Sequence, residues 1–253
     1  MTNQEYHAAE GLSSSDFRLL AESPLHLVKK NLFKLESKNL TVGSALHKLV
    51  LEPKEFNDEF IVEEEFNKRT KQGKEDYEKW CQSVEDKSIL TKSEFEKITK
   101  MALNVKEIAG GLLCNGEAEK SVFIKDSNGI TRKCRPDYYI ESLGIVIDVK
   151  TTKDGDSFSF AKSLYEYNYY LQGAWYLDTL ELAGFNAKRF IFITVESNSP
   201  HMVRVNEISE DALELGRKKY QKLYDEYLEY LKTNRCNVVK EIDLPSWVYE
   251  KSA

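Results

Sequence analysis

Cysteine is scarce and scattered: Cys81, Cys114, Cys134 and Cys236 stand far apart with no C-x-x-C pair. Neither a zinc cage nor a disulfide framework is suggested, which fits a reducing compartment. Glycine (12) and proline (5) are few among 253 residues, so wholesale disorder is not expected, and no internal repeat is detectable. No apolar run approaches the roughly 18 residues of a membrane span. The first thirty residues mix Gln4, Glu5, His7, Glu10, Asp16 and Arg18 with apolar positions, which leaves no apolar stretch of a signal peptide. A cytoplasmic protein with no membrane partner is expected. An excess of positive charge is missing as well. With 36 Lys+Arg against 42 Asp+Glu the formal net charge is -6, which excludes a protein that coats nucleic acid through bulk basicity but permits an enzyme with a local basic groove.

Hydrophobic residues make up 41% of the chain and charged ones 31%, enough apolar material for a single domain over residues 1–253. Ser13 and Asp16 match an S-x-x-D capping pattern ahead of Phe17, Leu19 and Leu20, and Pro24 marks the end of that helix or a kink. Thr41–Leu51 reads as a second helix with Val42, Ala45, Leu46, Leu49 and Val50 on its apolar face and His47 beside them. Residues 1–51 thus form N-terminal helices. Over 52–104 a run of acids gives way to Lys68, Arg69, Lys71 and Lys74. This reads as a charged helical insert, a loop followed by exposed helices with solvated faces; a DNA-facing basic helix over 68–79 is the lesser alternative.

The segment 117–207 has a different character. Lys120–Lys125 and Ile130–Arg135 flank the turn signal Asp126-Ser127-Asn128-Gly129 and read as a hairpin. Residues 136–140, a turn at Gly144 and the apolar run Ile145–Lys150 follow, the last as a buried strand. Helical spacing over Ser157–Gly184 predicts two helices meeting near Asn168, then strands at Arg189–Glu196 and Met202–Glu207, then a long charged helix from Ser209 to Thr233 within a C-terminal part spanning 208–253. The expected class is α/β (α+β), a central mixed sheet with antiparallel hairpin strands flanked by helices.

Chemistry concentrates at Asp148 and Lys150. Period-2 alternation puts both on one face of a buried strand, a costly placement unless they have partners. Asp137, eleven residues earlier across a short turn, can reach the same face. Two carboxylates and an ammonium at a strand end suit a divalent metal such as Mg²⁺, with lysine stabilising negative charge or orienting a water. The plain alternative is a buried Asp–Lys ion pair closing a sheet edge.

The full pattern is Arg135-Pro136-Asp137, ten intervening residues, then Asp148-Val149-Lys150-Thr151-Thr152, and it resembles the PD-(D/E)XK nuclease superfamily, whose core is restriction-endonuclease-like. Glu119 opens the preceding strand with a carboxylate where such nucleases often carry one. Gln172 and Tyr176 match the Q-x-x-x-Y motif of the RecB and lambda-exonuclease branch, an i, i+4 pair able to meet one phosphate; ordinary helix packing is the alternative. Tyr6-His7, Leu12-Ser13-Ser14-Ser15, Ser23-Pro24 and Gly43-Ser44-Ala45-Leu46-His47 are similar to the RecE (exonuclease VIII) nuclease domain, so that the resemblance spans about residues 4 to 200. It places His47 in the metal site; without it, a hydrogen-bonded core histidine is the ordinary reading. Some related nucleases carry an iron–sulfur cluster with an early Cys before Pro. Here Ser23 precedes Pro24 and Cys236 is alone, so no iron–sulfur cluster is expected, and no Walker-type motif announces a nucleotide.

The resemblance implies catalytic Asp137, Asp148, Lys150, Glu119, Gln172 and Tyr176. It implies Mg²⁺, with Mn²⁺ as substitute, on His47, Asp137, Asp148, Glu119 and the Val149 carbonyl. It further implies 5′→3′ digestion of linear double-stranded DNA from its ends, to leave 3′ single-stranded tails for recombination. Expected partners are a homo-oligomeric ring, trimer or tetramer, and a single-strand annealing protein. In such a ring Lys120, Lys125, Arg132, Lys133 and Arg135 would line the DNA channel. An endonuclease or single-strand-specific nuclease, and a non-catalytic DNA-binding protein on a nuclease fold, remain as alternatives.

Overall fold

The computed structural model describes residues 1–30, 41–84, 86–235 and 243. The first half runs through α1 (Asn3–Ala8), α2 (Asp16–Glu22), α3 (Pro24–Val28), α4 (Thr41–Leu51), α5 (Phe56–Glu59), β1 (Phe60–Val62), α6 (Lys71–Ser83), β2 (Ser88–Leu90) and α7 (Lys92–Ala109). The second half adds β3 (Glu117–Ala118), β4 (Val122–Lys125), β5 (Thr131–Cys134), β6 (Tyr138–Ile140), β7 (Ile145–Thr152), α8 (Ser157–Glu166), α9 (Tyr169–Leu182), β8 (Arg189–Glu196), β9 (Val203–Glu207) and α10 (Glu210–Thr233).

Local chemistry explains the element boundaries. The Ser13 backbone N–H and hydroxyl both donate to the Asp16 carboxylate at 2.8 Å, tying the turn that starts α2. Pro24 does not kink that helix; it occupies the first turn of α3, with the Ser23 hydroxyl accepting from the His26 N–H. Gly144, at φ +64°, makes the tight return between β6 and β7. Asn168, also left-handed at φ 57°, separates α8 from α9.

Five strands form the central mixed sheet in the order β3-β6-β7-β8-β9, with β7 and β8 parallel and the other neighbours antiparallel. The crossover from β7 to β8 carries α8 and α9, as a parallel pair requires. Alternation along β7 divides the core. Ile145, Ile147 and Val149 pack toward Ala45 and Leu46 of α4 and Ile98, Met101 and Val105 of α7. Val146 packs on the other side, with Leu171 and Trp175 of α9, Leu213 and Tyr220 of α10 and Phe17 of α2. Because α9 lies between the sheet and α10, it is buried nearly all round.

Two expectations need correction. The segment 52–104 is not merely a loop followed by exposed helices: it contains the parallel pair β1–β2 and α7, whose Ile98, Met101 and Val105 are fully buried. Its high charge hid the α7 stripe, which occupies only one face of an otherwise polar helix. The hairpin β4–β5 is present, with Val122 opposite Cys134, but as a two-stranded sheet of its own beside α9.

Gly216 sits where α10 crosses α9; a Cβ there would lie 2.4 Å from the Tyr170 carbonyl oxygen and 3.1 Å from the Ala174 Cβ. Gly216→Ala is expected to cost about 1–3 kcal/mol, as overpacking does, and so lower the melting temperature by several degrees in calorimetry. An unchanged transition would show that the two helices do not meet at this point.

Candidate active site

The site lies midway along β7, where the row that begins with Val146 turns from apolar to charged. Asp148 is next on that row, only 1% exposed, and Lys150 follows it. The Lys150 ammonium stands 2.5 Å from Asp148 Oδ1 and lies over the Tyr169 ring, 4.8 Å from its centre. Gln172 of α9 donates through Nε2 to Asp148 Oδ2 at 2.7 Å. Oδ1 is buried, and its partner is the Lys150 ammonium.

Asp137 precedes β6, whose Tyr138 pairs with Ile147, so its carboxylate arrives beside Asp148 and accepts the Val149 N–H at 2.6 Å. From α4, His47 brings Nδ1 to 3.3 Å from Asp137 Oδ2. Glu119 completes the cluster. Ligand atoms of His47, Glu119 and Asp137 all lie within 4.8 Å of one another, a spacing that one cation can bridge. Glu119 does not open a strand as expected. It sits in the connection from β3 to β4 in a left-handed conformation, φ 53°, and its N–H donates to the Asp137 carbonyl at 3.0 Å. A strained backbone at a non-glycine residue is often found at functional sites.

Electrostatics follow from this crowding. Burial, reinforced by the neighbouring Asp148 charge, holds the Asp137 carboxyl well above its ordinary pKa. Burial and the Lys150 ammonium push the His47 imidazole down, toward the neutral form that binds metal. For Lys150 burial works against the charge, but Asp148 and Asp137 outweigh it and its pKa is raised. Burial also carries Tyr176 well above the ordinary phenol value.

Asp137, Asp148, Lys150, Glu119, His47 and Gln172 thus gather as one site. Tyr176 lines the cleft that opens onto it, together with Asn3, Tyr6, His7 and Lys48. Gln172 is turned toward Asp148. Val149 presents its N–H to Asp137.

The five basic residues expected along a DNA channel behave differently. Lys133 is buried and donates to the carbonyls of Tyr6 at 3.0 Å and Ala9 at 2.7 Å. Arg135, 8% exposed, donates to Glu119 at 2.5 Å, to Ser121 and to the carbonyls of Met1 and Thr2. The Arg132 guanidinium stacks on Trp175 at 3.9 Å. Lys120 pairs with Glu117 at 2.7 Å. Lys125 alone of the five is exposed. Lys133 therefore braces the N-terminal segment instead of facing a channel, whereas Arg135 ties that segment, lines the cleft and orients Glu119.

Sequence reasoning also missed Lys48, which Glu52, Glu55 and Glu59 clasp at 2.7 to 3.0 Å on the rim of the cleft. Part of the acidic run is thus an ion-pair network, not a free solvated face; the i, i+4 spacing of Lys48 and Glu52 was the available signal. Cys81, Cys114 and Cys134 lie in α6, after α7 and in β5 respectively, while Cys236 falls outside the described residues. No helix among the described residues is long and apolar enough to cross a membrane.

Comparison with known proteins agrees with this architecture. A "Putative exonuclease" from Eubacterium rectale superposes with a TM-score of 0.57 at 13% identity, covering 98% of this chain and 97% of its own, which establishes likeness of fold. A "phage related exonuclease" from Haemophilus somnus 129PT covers 91% of this chain and all of its own at 12% identity, with a TM-score of 0.36, too low to carry an argument. No curated protein matches the sequence. The family described as "PDDEXK-like domain of unknown function" (DUF3799) matches residues 13–241. That range contains every one of the gathered acids, the lysine and the glutamine, and the chain belongs to this PDDEXK-like family.

Proposed function

We propose that this protein is a Mg²⁺-dependent exodeoxyribonuclease that digests linear double-stranded DNA from its ends, 5′→3′, to leave 3′ single-stranded tails for recombination. The observation that carries the reading is the convergence of Asp137 with Asp148 and Lys150 of β7 beside His47 and Glu119.

The residues fit a divalent cation. Asp137 and Glu119 supply hard oxygens within one cation's reach, and Asp148 Oδ1 is a buried acceptor beside an ammonium. Carboxylates suit Mg²⁺ and Mn²⁺, and the imidazole shifts the balance toward Mn²⁺. Asp137, Asp148, Glu119, His47 and the Val149 carbonyl would hold the ion. When bound, it neutralises charge on the scissile phosphate and acidifies a water.

The chain's own groups do the remaining work. Lys150 keeps its proton, so it acts as a donor to the water or to a phosphate oxygen and not as a base. Gln172 holds Asp148, and Asp148 in turn holds Lys150, fixing both against β7. Tyr176 on the cleft wall can donate to a phosphate. Hydrolysis joins the water oxygen to phosphorus and breaks one phosphorus–ester bond. In the ring of three or four copies that the resemblance implies, the DNA path would need basic side chains other than Lys133, which is engaged within the chain.

Three outcomes are expected. End-labelled linear duplex is digested only when Mg²⁺ or Mn²⁺ is present, whereas closed circular DNA survives; cutting of circles would sink the exonuclease assignment. Asp148→Ala and Lys150→Ala lower the rate by about 10²–10³ or more, the scale seen when a transition-state donor is removed, while circular dichroism stays that of the wild type. Thermal shift reports the metal: at a hundredfold excess over Kd the ion adds about 2.7 kcal/mol. Asp137 binds its proton more tightly folded than unfolded, so the metal-free protein loses stability as pH rises from the ordinary 3.8 through the raised folded value. The cation must displace that proton, and the metal-induced shift therefore grows from acid to alkaline pH. A shift independent of pH, or one surviving Asp137→Ala, would count against Asp137 as a ligand.

A further inference from the structure

Lys150 has two contacts of different kinds. Its ammonium meets Asp148 Oδ1 and also the face of the Tyr169 ring, 4.8 Å from the ring centre. Asp148 is one of the carboxylates offered to a divalent cation, so its hold on the ammonium weakens whenever a cation shares its charge. A ring face attracts an ammonium through its quadrupole but gives a hard cation no oxygen to bind. The attraction of Tyr169 for Lys150 is therefore one that metal binding does not divide.

The fold fixes that ring from both sides. Tyr169 opens α9 directly after Asn168, whose left-handed backbone turns the chain back from α8. Lys219 of α10 ties the outside of this corner, donating to Asn168 Oδ1 at 2.6 Å and to the Tyr170 hydroxyl at 3.0 Å. On the inside the Tyr169 ring packs against Phe192 of β8 at 5.8 Å and Phe160 of α8 at 6.3 Å. The same corner serves Gln172, whose N–H donates to the Asn168 carbonyl at 3.0 Å. Tyr169 and Gln172 stand at i and i+3, on one face of α9, and that face meets the strand residue by residue: Tyr169 over Lys150, Gln172 on Asp148. The first turn of α9 thus holds both members of the D-x-K pair.

We propose that Tyr169 is a positioning residue for the reaction: its ring face keeps the Lys150 ammonium in place when Asp148 is shared with a cation, so that the lysine stays aimed at the water or the phosphate oxygen. The proposal deepens the nuclease reading and rests on it for what Lys150 does, while the contact between ring and ammonium rests on geometry alone. A lysine ammonium rides on a flexible four-carbon stem, and a donor that wanders from its place costs rate without costing affinity.

The test compares the full chain with Tyr169→Leu, Tyr169→Phe, Lys150→Met, and Tyr169→Leu combined with Lys150→Met. Cleavage of end-labelled linear duplex is followed with Mg²⁺, and urea unfolding in EDTA. Tyr169→Leu is expected to lower kcat about tenfold, the scale of a partly desolvated cation–π contact, and to leave KM within about twofold. Tyr169→Phe, which keeps the ring, should retain most of the rate. In the Lys150→Met background Tyr169→Leu should lower kcat no further, because two residues that act as a unit are not additive. Unfolding should show the same coupling, with Tyr169→Leu lowering the urea midpoint more when Lys150 is present than in the Lys150→Met background. Full activity of Tyr169→Leu, or an equal loss with and without Lys150, overturns the inference. A loss in Tyr169→Phe as deep as in Tyr169→Leu, or a raised KM at unchanged kcat, overturns it in favour of a direct contact with DNA. If the wild type cuts no DNA, the nuclease reading falls and unfolding decides alone: coupled midpoints keep the hold of the ring on Lys150, and additive ones remove it. If the wild type cuts and the variants are additive, the inference falls and the nuclease reading stands.

Discussion

The Asp148 carboxylate sits in a row of β7 that otherwise feeds the core, and an isolated charge there would cost several kcal/mol. Its partners come from different parts of the fold: Lys150 from the same strand two residues on, Gln172 from α9 on the covering layer. The same demand passes outward to the neighbours. Asp137, forced beside Asp148 by the β6–β7 register, takes the Val149 N–H and the His47 ring, while Glu119 is held by Arg135. Sheet pairing, helix docking and the N-terminal segment each deliver one group, so the site exists only when all the layers are assembled.

On the proposed nuclease reading, an acidic chain addresses a polyanion through local charges alone. Bulk attraction is absent, and the basic residues nearest in sequence to the motif are engaged inside the molecule. The cations that line the cleft are few, Arg135 paired with Glu119 and Lys48 among three glutamates, and Lys150 stands against Asp148. Each of these cations is matched or outnumbered by acids. A divalent cation held by Asp137 and Glu119 would cancel their two charges without any change in the overall composition.

Much of this was legible in the sequence, for identifiable reasons. Asp148 and Lys150 stood out because two charges ended an apolar run, and the strand β8 and the break at Asn168 were marked by strong period and turn signals. Glu119 was legible as a residue but not as a conformation: nothing in Glu119-Lys120-Ser121 shows a positive φ. The stripe in α7 was masked by lysine and glutamate on its other face, and β1 and β2, three residues each, are too short for a period to register. Lys133 was misjudged because a basic run looks the same whether it faces phosphate or backbone carbonyls. Those acceptors lie more than 120 residues away in sequence, where no local pattern can reveal them.

The bond from Arg135 to the carbonyl of Met1 spans 134 positions, and this separation has a bearing on the order of synthesis. The first residues of the chain leave the ribosome well before the arginine that will anchor them, and Gln172 follows later still. Glu119 has no fixed bearing until that long loop closes. A growing chain of this protein therefore carries scattered acids, and the candidate site is assembled only after Gln172 has been made.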